Sequence, residues 1–234
     1  MAPNRLVIAP LTEQDAHEYQ AIRYTTFKPT INNIFYTREP SQETLNRVIE
    51  DTKLDIIRGV RFMTCRDTDT GTMIAGARWR YVAPKDMQEN YRSGSEPEQT
   101  RPRDRTWEEV DSDCTIPPPY TESDPRCFNA LFQLFNFHKR DIMGTRPYFC
   151  LDTLVTHPDH HRRGAGGLLI KWGIEEADRR NVECYLEASP MGVPLYERYG
   201  FEKVRDIELD LRPFGYEHRF DFIPMRRPAR WERS

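Results

Sequence analysis

Residues 148–167 read YFCLDTLVTHPDHHRRGAGG, and this stretch decides the fold. Its apolar first part, 148–155, predicts a buried strand. A His-Pro-Asp turn follows, and then two arginines and a group of glycines lead into LLIKWGIEEADRR, which predicts a helix. A strand, a loop and a helix start thus follow one another, with positive charge and small residues at the junction.

Such a junction is suited to bind phosphate. The first N–H groups of a helix have no partner within it, and the helix dipole is positive at that end. Arg162 and Arg163 add charge-assisted donors. Gly164, Gly166 and Gly167 carry no side chain that would hold a large anion away from the backbone. We therefore expect a phosphorylated ligand here.

Two common phosphate loops match this stretch less well. A Walker loop requires a lysine followed by Ser or Thr at its end, and this loop has neither. A dinucleotide-binding turn requires G-x-G-x-x-G directly after its strand. Gly164 and Gly166 fit that pattern, but Leu169 stands at the third position, and residues 157–163 separate the strand from the glycines. A nicotinamide dinucleotide stays a minor alternative.

Residues 161–166, HRRGAG, resemble the pyrophosphate loop [Q/R]-x-x-G-x-[G/A] of the GCN5-related N-acetyltransferases (GNAT), a superfamily of acetyl-CoA-dependent enzymes. His161 replaces the leading Gln or Arg, so one side-chain contact of the family is missing. Residues 195–201, LYERYGF, resemble the second family block, L-Y-x-x-x-G-F. Ser189 and Gly192 replace the Asn and Ala that often precede it. The order and spacing of the blocks are those of the family.

The resemblance implies an α/β fold of GNAT type, a mixed central sheet with splayed central strands flanked by helices. In that fold the pantetheine arm of acetyl-CoA pairs with the exposed backbone of one splayed strand. By resemblance, the backbone contacts come from Leu154, Val155 and Thr156. The cofactor pyrophosphate is expected to lie on His161, Arg162, Arg163, Gly164, Ala165, Gly166 and Gly167.

The catalytic residues follow from the chemistry of acyl transfer. The resemblance places Tyr196 as the general acid, and a phenol with an ordinary pKa of about 10 can protonate a departing thiolate. Glu187 matches a position that carries a carboxylate base in some relatives, and Asp152 is the other candidate base. Either carboxylate could instead be structural, and for Asp152 a pairing with an arginine is the favoured interpretation.

Composition excludes several other classes. A net charge of −3 and a pI near 6.1 argue against nucleic-acid binding. Five scattered cysteines without a C-x-x-C pair, and the lack of an apolar leader, predict a reduced, cytoplasmic protein without a membrane span. His157, His160 and His161 lie too close together on one turn to surround an ion, so no metal is expected.

The remaining pattern predicts a single GNAT domain over 1–234. Strands are expected at 5–9, 60–66, 72–82, 148–156, 182–188, 203–211 and 217–225, and helices at 12–27, 43–54, 126–143, 164–180 and 193–199. A proline-rich insertion at about 83–125 carries five bases and eleven acids between 85 and 125. It is interpreted either as a solvated loop or as a lid that attracts a cationic amine.

The sequence thus predicts acetyl transfer from acetyl-CoA to a primary amine, most simply a small molecule, by direct attack with Tyr196 as the acid. The acceptor cleft is expected between 27–38, the acidic insertion and 214–220. A non-catalytic acyl-CoA-binding protein and an acetyltransferase of protein or peptide amines are the alternatives. We expect a monomer or a homodimer.

Overall fold

The computed structural model describes residues 5–94, 102–217 and 219–232, which form one mixed sheet with helices on both faces. The strands are β1 (Leu6–Pro10), β2 (Arg61–Asp67), β3 (Met73–Val82), β4 (Tyr148–Thr156), β5 (Glu183–Ala188), β6 (Glu202–Lys203), β7 (Ile207–Asp210) and β8 (Arg219–Arg227). The helices are α1 (Ala16–Phe27), α2 (Asn32–Phe35), α3 (Gln42–Ile57), α4 (Lys85–Arg92), α5 (Trp107–Asp113), α6 (Pro125–Met143), α7 (Ala165–Arg179) and α8 (Val193–Glu197).

The strand order is β1-β2-β3-β4-β5-β8-β6, and β7 pairs with the other end of β8. Neighbours are antiparallel except β4 and β5, which run parallel at the centre of the sheet and are joined by α7. A parallel pair requires such a crossover, since a tight turn can only reverse the chain. The predicted α/β class, with helices flanking a mixed sheet, is confirmed.

The main core lies between the sheet and α7. It contains Trp79, Phe149 and Leu186 from the strands and Leu169 and Ile170 from α7, all nearly or fully buried. The opposite face is covered by α1 and α6, with smaller apolar clusters beneath each. Residues of the candidate site can therefore lie on either face of the same sheet.

Local signals predicted many of the element boundaries. Thr12 and Asp15 form the expected capping box, and Ser41 caps α3 by accepting a hydrogen bond from the Thr44 N–H group at 3.3 Å. β4 spans the predicted residues, and α7 begins after Gly164. In contrast, the strand predicted at 203–211 is broken into β6 and β7.

The acidic segment 83–125 is more ordered than its composition indicates. It contains α4 and α5, and a capping box between Thr106 and Glu109 starts α5. At its far end Glu122 is buried, and its carboxylate accepts hydrogen bonds from the Thr44 hydroxyl (2.6 Å) and the Ser41 N–H group (3.0 Å). Residues 95–101 of this segment lie outside the described residues. Within the described ranges, no helix is long and apolar enough to span a membrane.

Candidate active site

The two central strands separate at one end. Pairing between β4 and β5 runs from Tyr148–Glu183 to Leu151–Leu186 and ends there, five residues before the end of β4. The ladder between β3 and β4 shifts register so that Thr153 pairs with Arg78 and Leu151 with Trp79, which leaves Asp152 as an extra residue. Such a bulge bends its strand away from a neighbour. The predicted contact residues Leu154, Val155 and Thr156 therefore lie at an open gap.

The start of α7 lies beside this gap. Arg162 and Gly164 both have positive φ, 63° and 93°, so the loop turns sharply before the helix begins. A Cβ on Gly166 would lie 3.5 Å from a methyl of Leu195 and 3.8 Å from one of Leu154. The missing side chain thus leaves a groove floored by the helix start, between β4 and α8. Ala165 contributes to the helix start but is buried.

The loop before α7 is held by two side chains predicted to contact the cofactor. Arg163 donates to Asp67 at 2.5 Å and lies 3.0 Å from a ring nitrogen of His160. His161 bonds the carbonyl oxygen of Thr156 through Nε2, at 3.0 Å. Arg162 is exposed, with no side-chain partner among residues 5–94, 102–217 and 219–232. Of the two arginines, Arg162 is thus the one available to a ligand.

Gly167 has a packing role that its sequence context did not indicate. It is buried, and a Cβ there would lie 2.2 Å from the hydroxyl oxygen of Tyr199. The Tyr199 ring therefore rests on the first turn of α7 where only glycine leaves room. This contact joins the two family blocks, since Tyr199 follows α8.

Tyr196 lies on α8, which follows the end of β5. Its ring packs edge-on against Phe201 with centroids 5.9 Å apart, and it borders the main core. Burial raises the pKa of Tyr196 well above its usual value, so the phenol is protonated at neutral pH. Its hydroxyl makes no hydrogen bond within the described part of the chain and can donate to a ligand.

Asp152 is surrounded by cations. Arg80 donates to both of its oxygens, at 2.7 and 3.0 Å, and Arg78 also donates to it. The Cys150 thiol adds a bond at 3.1 Å. Burial raises the pKa of Asp152, but Arg80 and Arg78 outweigh burial and hold the pKa below its usual range. The carboxylate therefore stays ionised in this arrangement.

Glu187 has fewer partners. Its Oε1 is buried and accepts no hydrogen bond within the described residues, and the ammonium of Lys139 on α6 lies 3.4 Å away. Burial lowers the pKa of Lys139, but the charge of Glu187 outweighs it, and the pKa lies above its usual value. Lys139 also lowers the pKa of Asp152, so both candidate bases lie on the α6 face of the sheet.

The segments predicted to form the acceptor cleft meet in an aromatic cluster. Phe35 from α2, and Phe214 and Phe220 near the last hairpin, each pack against one apolar cluster that contains the buried Leu131 of α6. The acidic segment joins the same region, because the ring of Tyr120 lies 5.8 Å from that of Phe128. Helix α6, predicted as core, thus also connects the three segments.

A groove with a volume of about 510 Å³ lies beside α8 and the last strands. Its apolar floor includes Val193, Ile207 and Ile223. Four acids and one base line its rim: Glu197, Asp206, Glu208, Asp221 and Lys203. Its volume is in the range of small-molecule sites, and its charge is suited to a cation.

The order of these elements agrees with a known domain family. Residues 142–227, from the end of α6 to the end of β8, match the family model described as an acetyltransferase (GNAT) domain. This part of the chain is therefore similar to the acetyltransferases of the GNAT superfamily. The resemblance of the two blocks to this superfamily is thereby confirmed, and both blocks lie inside the matched region.

Similar proteins include one sequence relative and several solved structures. A stretch of 43 residues is 42% identical to the Probable acyltransferase SID5 of Ajellomyces capsulatus, but it spans only 18% of this chain and 32% of that relative. The fold is shared over far more of the chain with mosquito arylalkylamine N-acetyltransferase like 5b, at 12% identity and a TM-score of 0.61, over 95% and 99% of the two chains.

Two further solved structures share the fold. The Drosophila melanogaster polyamine N-acetyltransferase, which forms N-acetylagmatine, is 10% identical with a TM-score of 0.57 over 94% and 98% of the chains. The yncA protein of Salmonella typhimurium, solved with its cofactor acetyl-CoA, is 11% identical with a TM-score of 0.52 over 95% and 92%. The GNAT fold thus extends across the described chain.

Sequence reasoning missed the partners that hold the site together. Lys139 lies 48 positions before Glu187, and Asp67 lies 96 before Arg163. No spacing rule connects residues so far apart. Only their charges hinted at pairing, and the chain has 34 bases and 37 acids from which to choose.

Proposed function

We propose that this protein is an acetyl-CoA-dependent N-acetyltransferase that acts on a primary amine of a small molecule. The main support for this proposal is the gap between β4 and β5, with the glycine-bearing start of α7 beside it. A strand with unpaired backbone can bind an extended chain such as pantetheine by adding hydrogen bonds along its edge. The groove left by Gly166 gives that chain a path to the helix start.

Different residues of the groove would bind different parts of the cofactor. The first N–H groups of α7 and the exposed Arg162 would receive the pyrophosphate. Leu154 and Val155 would supply backbone groups to the pantetheine arm. The carbonyl of Thr156 already accepts from His161, so Thr156 contributes mainly by shaping the gap. Acetyl-CoA supplies the activated acetyl group as a thioester.

Tyr196 would donate a proton in the reaction, and Glu187 would accept one. The raised pKa of Tyr196 keeps its phenol protonated, so it can donate to the departing thiolate. Glu187, whose Oε1 lacks a hydrogen bond within the described residues, would accept the proton of the incoming ammonium directly or through a water. Asp152 is committed to two arginines and serves to fix the bulge in β4.

The acceptor is proposed to be a small cationic amine. The acidic rim of the groove beside α8 and the aromatic cluster around Phe35 favour a cationic or aromatic compound over a protein lysine. Structural relatives named for arylalkylamine and polyamine substrates support the same preference.

The test is release of free CoA from acetyl-CoA in the presence of a polyamine, an aromatic amine and a short peptide, each tried separately. We expect turnover with at least one of the small amines. Tyr196→Phe should lower the rate of CoA release, and Tyr199→Phe is its matched control, because the Tyr199 phenol packs on α7. Tight CoA binding without turnover of any amine would contradict the proposal and favour a non-catalytic binding protein.

A further inference from the structure

Lys139 of α6 lies beside Glu187, the candidate base, at the point where the two central strands separate. The last residue pair of β4 and β5 joins Leu151 to Leu186, so Glu187 is the first residue of β5 beyond the paired part of the strands. The Lys139 ammonium lies 3.4 Å from Oε1 of Glu187, and the two side chains are 18% and 10% exposed. A cation and a carboxylate are therefore held together, largely out of water, beside the gap proposed for acetyl-CoA.

This ion pair supplies charge without a hydrogen bond. Oε1 of Glu187 is buried and accepts no hydrogen bond from the described residues, although the ammonium is near. Lys139 also lies over the ring of Tyr185, with Nζ 5.8 Å from the ring centroid, and this contact helps to hold the ammonium in place. The lone pairs of Oε1 thus stay open to a proton donor, while the nearby positive charge favours the ionised carboxylate.

The other titratable groups that act on this pair do not change charge between about pH 5 and 8. Asp152 is held ionised by Arg80, which donates to it at 2.7 Å. The register partner of the candidate base on β8 is a proline, which carries no charge. Burial lowers the pKa of His138 of α6, and the charges that act on it are those of Arg205 and Asp141 rather than this pair. Burial raises the pKa of three neighbours, which are therefore neutral in that range: Tyr148, Cys150 and Tyr185.

We propose that Lys139 is a positioning residue for acetyl transfer, whose ammonium keeps the buried carboxylate of Glu187 ionised at the gap so that it can accept the proton of the acceptor amine. Burial alone would favour the protonated acid, which cannot act as a base. The proton passes from the acceptor nitrogen to Glu187, and the lysine remains an ammonium throughout. This inference rests on the proposed function, because it assigns a partner to the proposed base.

The experiment compares the pH dependence of kcat/KM in the wild type, Lys139→Met and Lys139→Arg, with the small amine that gives the fastest CoA release. Without the ammonium, the buried carboxylate has no counter-charge and is protonated at higher pH. The acid limb of the profile should therefore move upward by about 1–3 pH units in Lys139→Met, the effect of one nearby opposite charge. Lys139→Arg keeps the charge and should reverse most of the shift. The amine titrates identically in every variant, so differences between profiles report on the protein.

A second measurement needs no turnover. The side-chain carboxyl carbon of Glu187, assigned in carbon NMR spectra by its loss in Glu187→Gln, should titrate at higher pH in Lys139→Met than in the wild type. Lys171→Met is the matched control, because Lys171 is exposed on α7 and pairs with Glu175 at 3.8 Å. It should change neither the profile nor the titration. Should Lys139→Met not fold, Lys139→Gln removes the same charge and keeps a polar side chain.

A shifted acid limb in a neutral variant at position 139, reversed by Lys139→Arg, would support the inference. A lower rate at every pH with an unmoved limb, or the same carboxyl titration with and without the ammonium, would overturn it and make Lys139 a structural residue. A wild type that turns over no amine would refute the proposed function instead, and the NMR titration would then decide the effect of Lys139 on Glu187 alone.

Discussion

Replacing Gly167 by alanine tests whether this glycine serves ligand binding or packing. The Cβ of Gly167→Ala would lie 2.2 Å from the hydroxyl oxygen of Tyr199 and 3.2 Å from its Cζ. The hydroxyl must move by roughly 1 Å to restore ordinary contact, and overpacking of this kind costs about 1–3 kcal/mol. Because the atom that must move is the end of a side chain, we expect a loss near 1–2 kcal/mol.

The double variant Gly167→Ala/Tyr199→Phe should recover most of that loss. Without the hydroxyl, the nearest atom to the new Cβ is Cζ at 3.2 Å, which a shift of a few tenths of an ångström relieves. Alanine also suits a helix better than glycine by roughly 0.5–1 kcal/mol. Urea unfolding without ligand gives the four free energies of a double-mutant cycle, and we expect a favourable coupling of about 1 kcal/mol or more.

The same cycle separates the two interpretations of Gly167. If packing is its role, the double variant binds CoA with wild-type affinity, measured by calorimetry. If the backbone at this residue must lie against phosphate, CoA binding stays about tenfold weaker although the fold is restored. That second result, or purely additive free energies, would refute the packing argument.

Three further changes test other parts of the molecule. Tyr196→Phe should lower kcat by roughly ten- to a hundred-fold with CoA affinity kept, and an unchanged kcat would exclude its role as acid. Glu122→Ala should cost roughly 3 kcal/mol in urea unfolding, since it removes two hydrogen bonds to a carboxylate. The hydrogen bonds from Thr44 and Ser41 lower the pKa of Glu122 from 4.5 to about 2, so its contribution is present above pH 4.5 and is lost as pH falls towards 2; a variant with the wild-type pH dependence of stability would contradict this. Asp152→Asn should cost about 3–5 kcal/mol, because it leaves two arginines without their carboxylate, whereas Asp86→Asn, at an exposed ion pair, should leave the Tm unchanged within a degree.

Elements with strong local signals could be predicted closely. β4 is mostly apolar, and α3 and α6 have clear polar caps, so their bounds lie within a few residues of the expected ones. The helices α4 and α5 were not predicted, because proline, serine and charge dominate the segment around them. These two helices are stabilised by packing against distant parts of the chain, as the burial of Val110 and Tyr91 indicates.

The sequence by itself determined the two GNAT-like blocks, the glycine-bearing start of α7 and the position of Tyr196, because each of them is read from residues that are neighbours along the chain. Only the tertiary structure decided that Arg163 binds Asp67, that Tyr199 occupies the space over Gly167, and that Lys139 lies beside Glu187. Backbone conformation and caps are set by neighbouring residues, whereas ion pairs and close packing depend on which distant segments the folded sheet brings together.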